Sequence, residues 1–245
     1  MILLFLSCFF GEPESISFEL KLNKKSFSCS EAVEGWTLTD FRFFVSNILI
    51  NGNAASLVAD NLWQTNRVAL LDFEDGTGSC SNGDSKINTH IKISKHIKTG
   101  DVLEFDIGVP FDQNHANPVK ANGPLRNMSM HWSWRTGYKF IRFGAKNLEG
   151  ESLNVHLGST GCVGEMTDVE HCIYPNRAKV KLNVVDPQKA ILIHMDRFLF
   201  APRDLADLKW GCMSERDDVG CEPVFKALGL GKDQDGVTQK EVFLQ

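Results

Sequence analysis

Positive charge is nowhere concentrated in this chain. The longest basic run is "KK" at 24 and 25, and the 245 residues carry a net charge of −5. That excludes nucleic acid as the main partner, because such binding rests on phosphate neutralisation. It also excludes a polybasic membrane-surface patch. A membrane-spanning run is missing too. The apolar start "MILLFLSCFF" is ten residues long, and a bilayer needs about twenty. It reads as the tail of an export signal, so residues 1–11 are expected to be a signal peptide or lipoprotein-signal remnant. "FLSC" is a loose lipobox match that would lipidate Cys8, the one membrane link the sequence offers.

Several catalytic and metal motifs are absent as well. There is no GxSxG element and no nucleophile with an assigned base, so an enzyme is not expected. There is no CxxC pair, which argues against structural zinc. "GKDQDGV" (231–237) fails as an EF-hand loop, because placing Gly236 at position 6 puts Val242 where glutamate belongs. "DFEDG" (72–76) fails on spacing, and turn chemistry explains both stretches. No internal repeat interrupts residues 12–245, which read as a single domain.

What the chain does contain is cysteine, histidine and many short strand patterns. Cysteines number seven, and setting Cys8 aside leaves six, an even count suited to an oxidising compartment. "CVGEMTDVEHC" and "CMSERDDVGC" read as acidic surface loops, each closed by its own cysteines. The expected pairs are therefore Cys162–Cys172 and Cys212–Cys221, leaving Cys29–Cys80. Strand patterns are read at 15–22, 41–50, 67–74, 87–93, 101–109, 138–143, 152–157, 178–185 and 190–195, separated by turn signals such as "NGN" and "SNGD". The fold class is all-β: a disulfide-bonded antiparallel β-sandwich with short C-terminal helices at 202–210 and 222–230.

"MHWSWRTGYKF" (130–140) sets the functional question. On a strand Met130, Trp132 and Trp134 share one face and His131 takes the other. That face is either core or the lining of a site. Two of the seven histidines stand in better context than the rest. His115 follows a strand end in "GVPFDQNHANP", and His156 precedes a glycine turn in "VHLGSTGC". Imidazole with a soft thioether favours copper, Cu(I) above all, over calcium or magnesium. An unmodified indole is donor-only and cannot ligate.

Taken in order, "DFRFFVSN", "NLWQTNRVALLDFEDGTGSC", "GVPFDQNH", "MHWSWRTGYKFIRF", "HLGSTGC", "CIYPNR", "DRFLF" and "GCMSERDDVGC" resemble the MbnP-like family, the metallo-mystery-pair four-Cys-motif proteins. The resemblance implies a periplasmic or surface β-sandwich that binds copper without turnover. It also implies a di-haem, MauG-like peroxidase partner that oxidises a tryptophan to kynurenine. Ring opening would give that side chain a nitrogen and an oxygen with usable lone pairs. Carried over by motif, the ligands would be His115 and His156, with Met130 as a further donor. Trp134, Trp132 and Trp63 would be candidates for modification. His131 stands where the family pattern suggests an aromatic such as Phe. Two other readings remain at this level. One is a carbohydrate-binding sandwich using the tryptophans with Asp112, Asn114 and Asn117; the other is a purely structural secreted domain.

Overall fold

The computed structural model describes residues 13–83, 85–133, 135–165, 168–199, 211–230, 239 and 242–245. The 1–11 segment with Cys8, the helix expected at 202–210, the "GKDQDGV" stretch and Trp134 lie outside them.

The strand Glu14–Leu22 alternates as its sequence dictates, burying Ile16, Phe18, Leu20 and Leu22. It pairs antiparallel with His90–Ile93 and Lys25–Ser26, and parallel with Ile191–His194. The short strand Phe243–Leu244 adds at the edge of Ile191–His194. The second sheet runs Ser152–Gly158, Gly137–Asn147, Trp36–Ile50, Val102–Ile107, Ala178–Asn183. Val68–Asp72 also pairs with its long central strand, and His131–Ser133 with Gly137–Asn147.

The two sheets meet through aromatic rings. Phe18 packs edge-on against Phe43 and Phe105, both at 6.0 Å, and Phe43 meets Phe243 at 5.9 Å. This is a β-sandwich, as expected. One ladder departs from the antiparallel expectation, the parallel pair of Glu14–Leu22 with Ile191–His194. The Cys162–Cys172 loop departs further. It is a β-hairpin, Thr160–Glu165 with Asp168–Tyr174, forming a two-stranded sheet of its own. Its acidic and glycine residues suggested a loop, but alternation in Asp168–Tyr174 buries Val169 and leaves its neighbours exposed. All three expected disulfides form. Cys29–Cys80 and Cys212–Cys221 are buried and belong to the main core. Of the expected C-terminal helices, Glu222–Ala227 is described and docks Val224 and Phe225 on the core. No helix among the described residues is long and apolar enough to cross a membrane.

The central strand Trp36–Ile50 is buried on both faces near its middle. Phe41, Phe43 and Val45 face the inter-sheet core, whereas Phe44 faces a second, smaller cluster on the sheet's outer side. That cluster holds Val68, Leu70, Val109, Leu125, Met130, Tyr138 and Phe140. The excursion from Gly108 to Ser133 folds over it, and the candidate site sits at its rim.

Candidate metal centre

A hairpin organises the site. His131–Ser133 returns into Gly137–Asn147, with His131 opposite Tyr138 and Ser133 opposite Gly137. The register slips between those pairs, so simple alternation does not describe this stretch. Met130 enters the outer apolar cluster and is fully buried there. Trp132 takes a different course. Its indole lies over Gly158, and its ring centroid is 6.2 Å from that of His156, nearly perpendicular. Gly158 permits this approach. A Cβ there would sit 3.0 Å from Trp132 Cε3 and 2.8 Å from the Tyr138 carbonyl oxygen.

His115 reaches the same hairpin through Asn114. The short helix Phe111–Asn114 begins after Pro110 and ends with His115 as its cap. Asn114 is buried, and its side chain is fully engaged. Its oxygen accepts from the Tyr138 amide at 2.9 Å, and its nitrogen donates to the Thr136 carbonyl at 3.0 Å. That nitrogen also faces His115 Nε2 at 3.1 Å, so Nε2 is the acceptor and Nδ1 carries the hydrogen. The fit depends on Gly137, whose φ is +79° and whose Cβ position is taken up by Asn114. His115 Nδ1 is buried and makes no hydrogen bond of normal geometry. The Arg135 backbone is nevertheless near enough to the ring to favour its charged form. His115 thus stands beside Arg135, and His156 beside Trp132, on one hairpin.

Both imidazoles are held neutral. Burial, then the positive charges of Lys139 and Arg142, push His156 down to about 4. Burial lowers His115, with Arg177 adding to the effect. The His156 ring makes no hydrogen bond among the described residues, so its nitrogen lone pair is not committed. A metal-ligating histidine must be unprotonated, and both rings meet that condition. With one uncommitted imidazole and a second whose unprotonated Nε2 faces only the Asn114 amide and a disulfide sulfur, the residues present fit a low-coordinate soft ion.

The charges near His156 belong to a buried network. Arg42 grips Asp40 with two nitrogens, Nε at 3.0 Å and Nη2 at 2.5 Å. Its Nη1 reaches Glu74 Oε1 and Ser129 Oγ, both at 2.8 Å. Arg142 Nε contacts Asp40 Oδ2 at 2.9 Å, and Lys139 Nζ donates to the Ser129 carbonyl at 2.9 Å. Ser129 immediately precedes Met130, so the network fixes where the hairpin starts. Asp72 lies at its edge, where burial raises its carboxyl to about 7.

The other sequence candidates are placed as follows. Met130 is a fully buried residue of the outer apolar cluster, where its thioether packs. Trp63 packs on the same cluster. Trp134 is outside the described residues. The polar groups that a sugar reading would use have other work. Asp112 is ion-paired with Arg67 at 2.6 Å, and Asn117 caps Val119 at 2.9 Å. Two features were missed at sequence level. One is the network centred on Arg42. The other is the contact of His115 Nε2 with Cys172 Sγ at 3.4 Å. The residues are 57 apart in sequence, and no local pattern links them.

Comparison with known proteins agrees with this architecture. A solved structure, MbnP from Methylosinus trichosporium, superposes with a TM-score of 0.73 at 24% identity, over 95% of this chain and 97% of that one. No curated protein matches the chain in sequence. The MbnP family model matches residues 12–214, most of the length, and the chain belongs to the MbnP family.

Proposed function

We propose that this protein is an exported copper-binding protein, in the periplasm or on the outer cell surface, and not an enzyme. In this reading it holds one Cu(I) with His115 and His156, and Trp132 becomes a third donor after oxidation to kynurenine. The observation that carries the proposal is the single hairpin that borders both neutral imidazoles and places the Trp132 ring against His156. Two imidazoles suit Cu(I), which accepts low coordination and borderline nitrogen donors. The protein's own residues do three things here. Burial keeps both rings unprotonated, Asn114 orients His115 through Nε2, and Gly158 lets the indole lie beside His156. Copper would supply only its affinity for these donors.

Trp132 has an indole N–H that donates and cannot ligate. Its oxidative opening, by a di-haem peroxidase of the MauG kind, would make a carbonyl oxygen and an aryl amine at the same position. Of the three tryptophan candidates, Trp132 is favoured because its ring is beside a candidate ligand. Met130 is left out of the set because it packs in an apolar cluster.

The test is Cu(I) competition against a chelator, with protein made with and without the peroxidase. The His115→Ala, His156→Ala double variant should lose binding in both preparations. Peptide mass spectrometry should find the oxidised residue at Trp132, and Trp132→Phe should abolish the strengthening on co-expression. A double variant that binds as tightly as the parent would refute the site. Modification at Trp63 alone would move the third donor elsewhere.

A further inference from the structure

The hairpin disulfide Cys162–Cys172 differs from the other two in its surroundings. Cys29, Cys80, Cys212 and Cys221 are all at most 2% exposed, whereas Cys162 is 9% exposed and Cys172 is only partly buried. The hairpin that carries it shares no ladder with either sheet of the sandwich. Cys162 and Cys172 are directly opposed across its two strands. His115 Nε2 lies 3.4 Å from Cys172 Sγ. One nitrogen of His115 and the two sulfurs all fall within 4.8 Å of one another, the one such grouping of three metal-binding side chains among the described residues.

We infer that reduction of Cys162–Cys172 converts this corner into a second metal site, in which two thiolates and His115 hold a thiophilic d10 cation such as Zn2+ or Cu(I). The inference does not depend on the copper reading above, although both use His115. Distances favour it. A tetrahedral ion with metal–sulfur bonds of ~2.3 Å and a metal–nitrogen bond of ~2.05 Å places nitrogen ~3.6 Å from sulfur and the sulfurs ~3.8 Å apart. The nitrogen–sulfur edge is already near that length. The sulfur–sulfur edge is within reach of two thiols on directly opposed residues, whose Cα atoms here lie 3.8 Å apart.

The strands need not separate when the bond opens. Thr160 is tied to the Ser214 carbonyl at 3.3 Å, and Ser159 to the Pro175 carbonyl at 3.0 Å. These bonds hold the base of the hairpin where it is. The ring nitrogen that faces the sulfur is Nε2, the unprotonated one, so binding costs only its contact with Asn114. Nδ1–H, orphaned at present, then lies beside the Arg135 backbone, the kind of partner that orients metal-bound imidazoles. A fourth position is left for water, because no other His, Cys, Asp or Glu among the described residues joins the group.

The chemistry balances with an external thiol as reductant. Two equivalents of thiol lose two protons and two electrons to form their own disulfide. Cys162–Cys172 gains them and becomes two thiols. The incoming cation then displaces both thiol protons, and the imidazole gives a lone pair with no proton change.

The full chain is held in a glutathione redox buffer, and the fraction of Cys162–Cys172 reduced is read by thiol trapping and peptide mass spectrometry at fixed free Zn2+. Zn2+ binds only the reduced pair in this scheme, so the midpoint should rise by ~30 mV for each tenfold increase of free Zn2+ above the dissociation constant. Co2+ in place of Zn2+ should give thiolate-to-metal charge-transfer absorption in reduced protein and none in oxidised protein. Cys162→Ser with Cys172→Ser should remove that absorption. His115→Ala should lower affinity at least tenfold and shrink the midpoint shift. His156→Ala should change neither readout, which separates this site from the copper reading. A midpoint indifferent to Zn2+ overturns the proposal, as does a full shift in His115→Ala. The midpoint reports on the disulfide in the native chain, so it stays decisive if a variant folds poorly.

Discussion

The protonation of His156 gives the sharpest check on the site. An unfolded histidine titrates near 6.5, and in the fold His156 is held at about 4, first by burial and then by Lys139 and Arg142. A depressed folded value means that the neutral ring contributes stability fully above pH 6.5. That contribution is lost as pH falls through 6.5 toward 4. Each pH unit across the window is worth ~1.4 kcal/mol. Integrating linkage between the two values gives a loss of about 2 kcal/mol at pH 5 and about 3 kcal/mol at pH 4. The ring retains some solvent contact, so screening reduces these figures, and about 1 kcal/mol at pH 5 is the least the reasoning tolerates. His156→Phe keeps a ring beside Trp132 and cannot titrate. Urea denaturation of metal-free parent and variant at pH 7.5, 6, 5 and 4 gives the difference, in which unrelated carboxylates cancel. Relative to the variant, the parent should lose stability steadily below pH 6.5. The histidine Hε1 proton signal in NMR should meanwhile stay at its neutral position down to about pH 5. A difference that is flat with pH, or an Hε1 midpoint near 6.5, would refute the claim that burial and the two cations keep this ring neutral.

Two further outcomes follow from the same geometry. Arg42→Met removes the cation shared by the buried Asp40 and Glu74, leaving Asp40 only its contact with Arg142, and should cost about 3–5 kcal/mol at pH 8 in urea denaturation. A cost below about 1 kcal/mol would count against the network. Gly158→Ala drives a methyl into Trp132 and the Tyr138 carbonyl. It should destabilise by about 1–3 kcal/mol, shift Trp fluorescence, and weaken Cu(I) binding as Trp132 moves off His156, whereas unchanged fluorescence would show that the indole is not held there.

The sandwich was legible because its strands carry period-two burial, as in Glu14–Leu22, and because four of the six cysteines close two short loops and leave one remaining pair. The Cys162–Cys172 segment was not read as a hairpin. Its buried residues are few, and a free-standing two-stranded sheet leaves most side chains in solvent, so the periodic signal is weak. Strand periodicity also misjudged "MHWSW". The register slips between His131 and Ser133, and Met130 enters the apolar cluster whereas Trp132 lies toward His156. His115 and His156 were picked out from loop context and family resemblance. Their neutrality could not be, since it depends first on burial, and then on Lys139 and Arg142 beside His156 and on Arg177 near His115. Asp40 and Arg42 show the same limit. They are the only charged residues in the strand Trp36–Ile50, and their charge looks like a defect until Glu74, Arg142 and Ser129 arrive from elsewhere in the chain.

The parallel ladder has a consequence for how the molecule comes into being. Glu14–Leu22 is made early, but its parallel neighbour begins at Ile191, and that strand is edged in turn by Phe243–Leu244. Residues near the two ends of the chain therefore belong to one sheet, and the aromatic core between the sheets includes Phe18 and Phe243 together. Contacts so distant along the chain place the fold among slow folders, on timescales of milliseconds to seconds. Glu14–Leu22 therefore waits without its parallel neighbour until Ile191–His194 has been made, and the sheet that contains both is completed late.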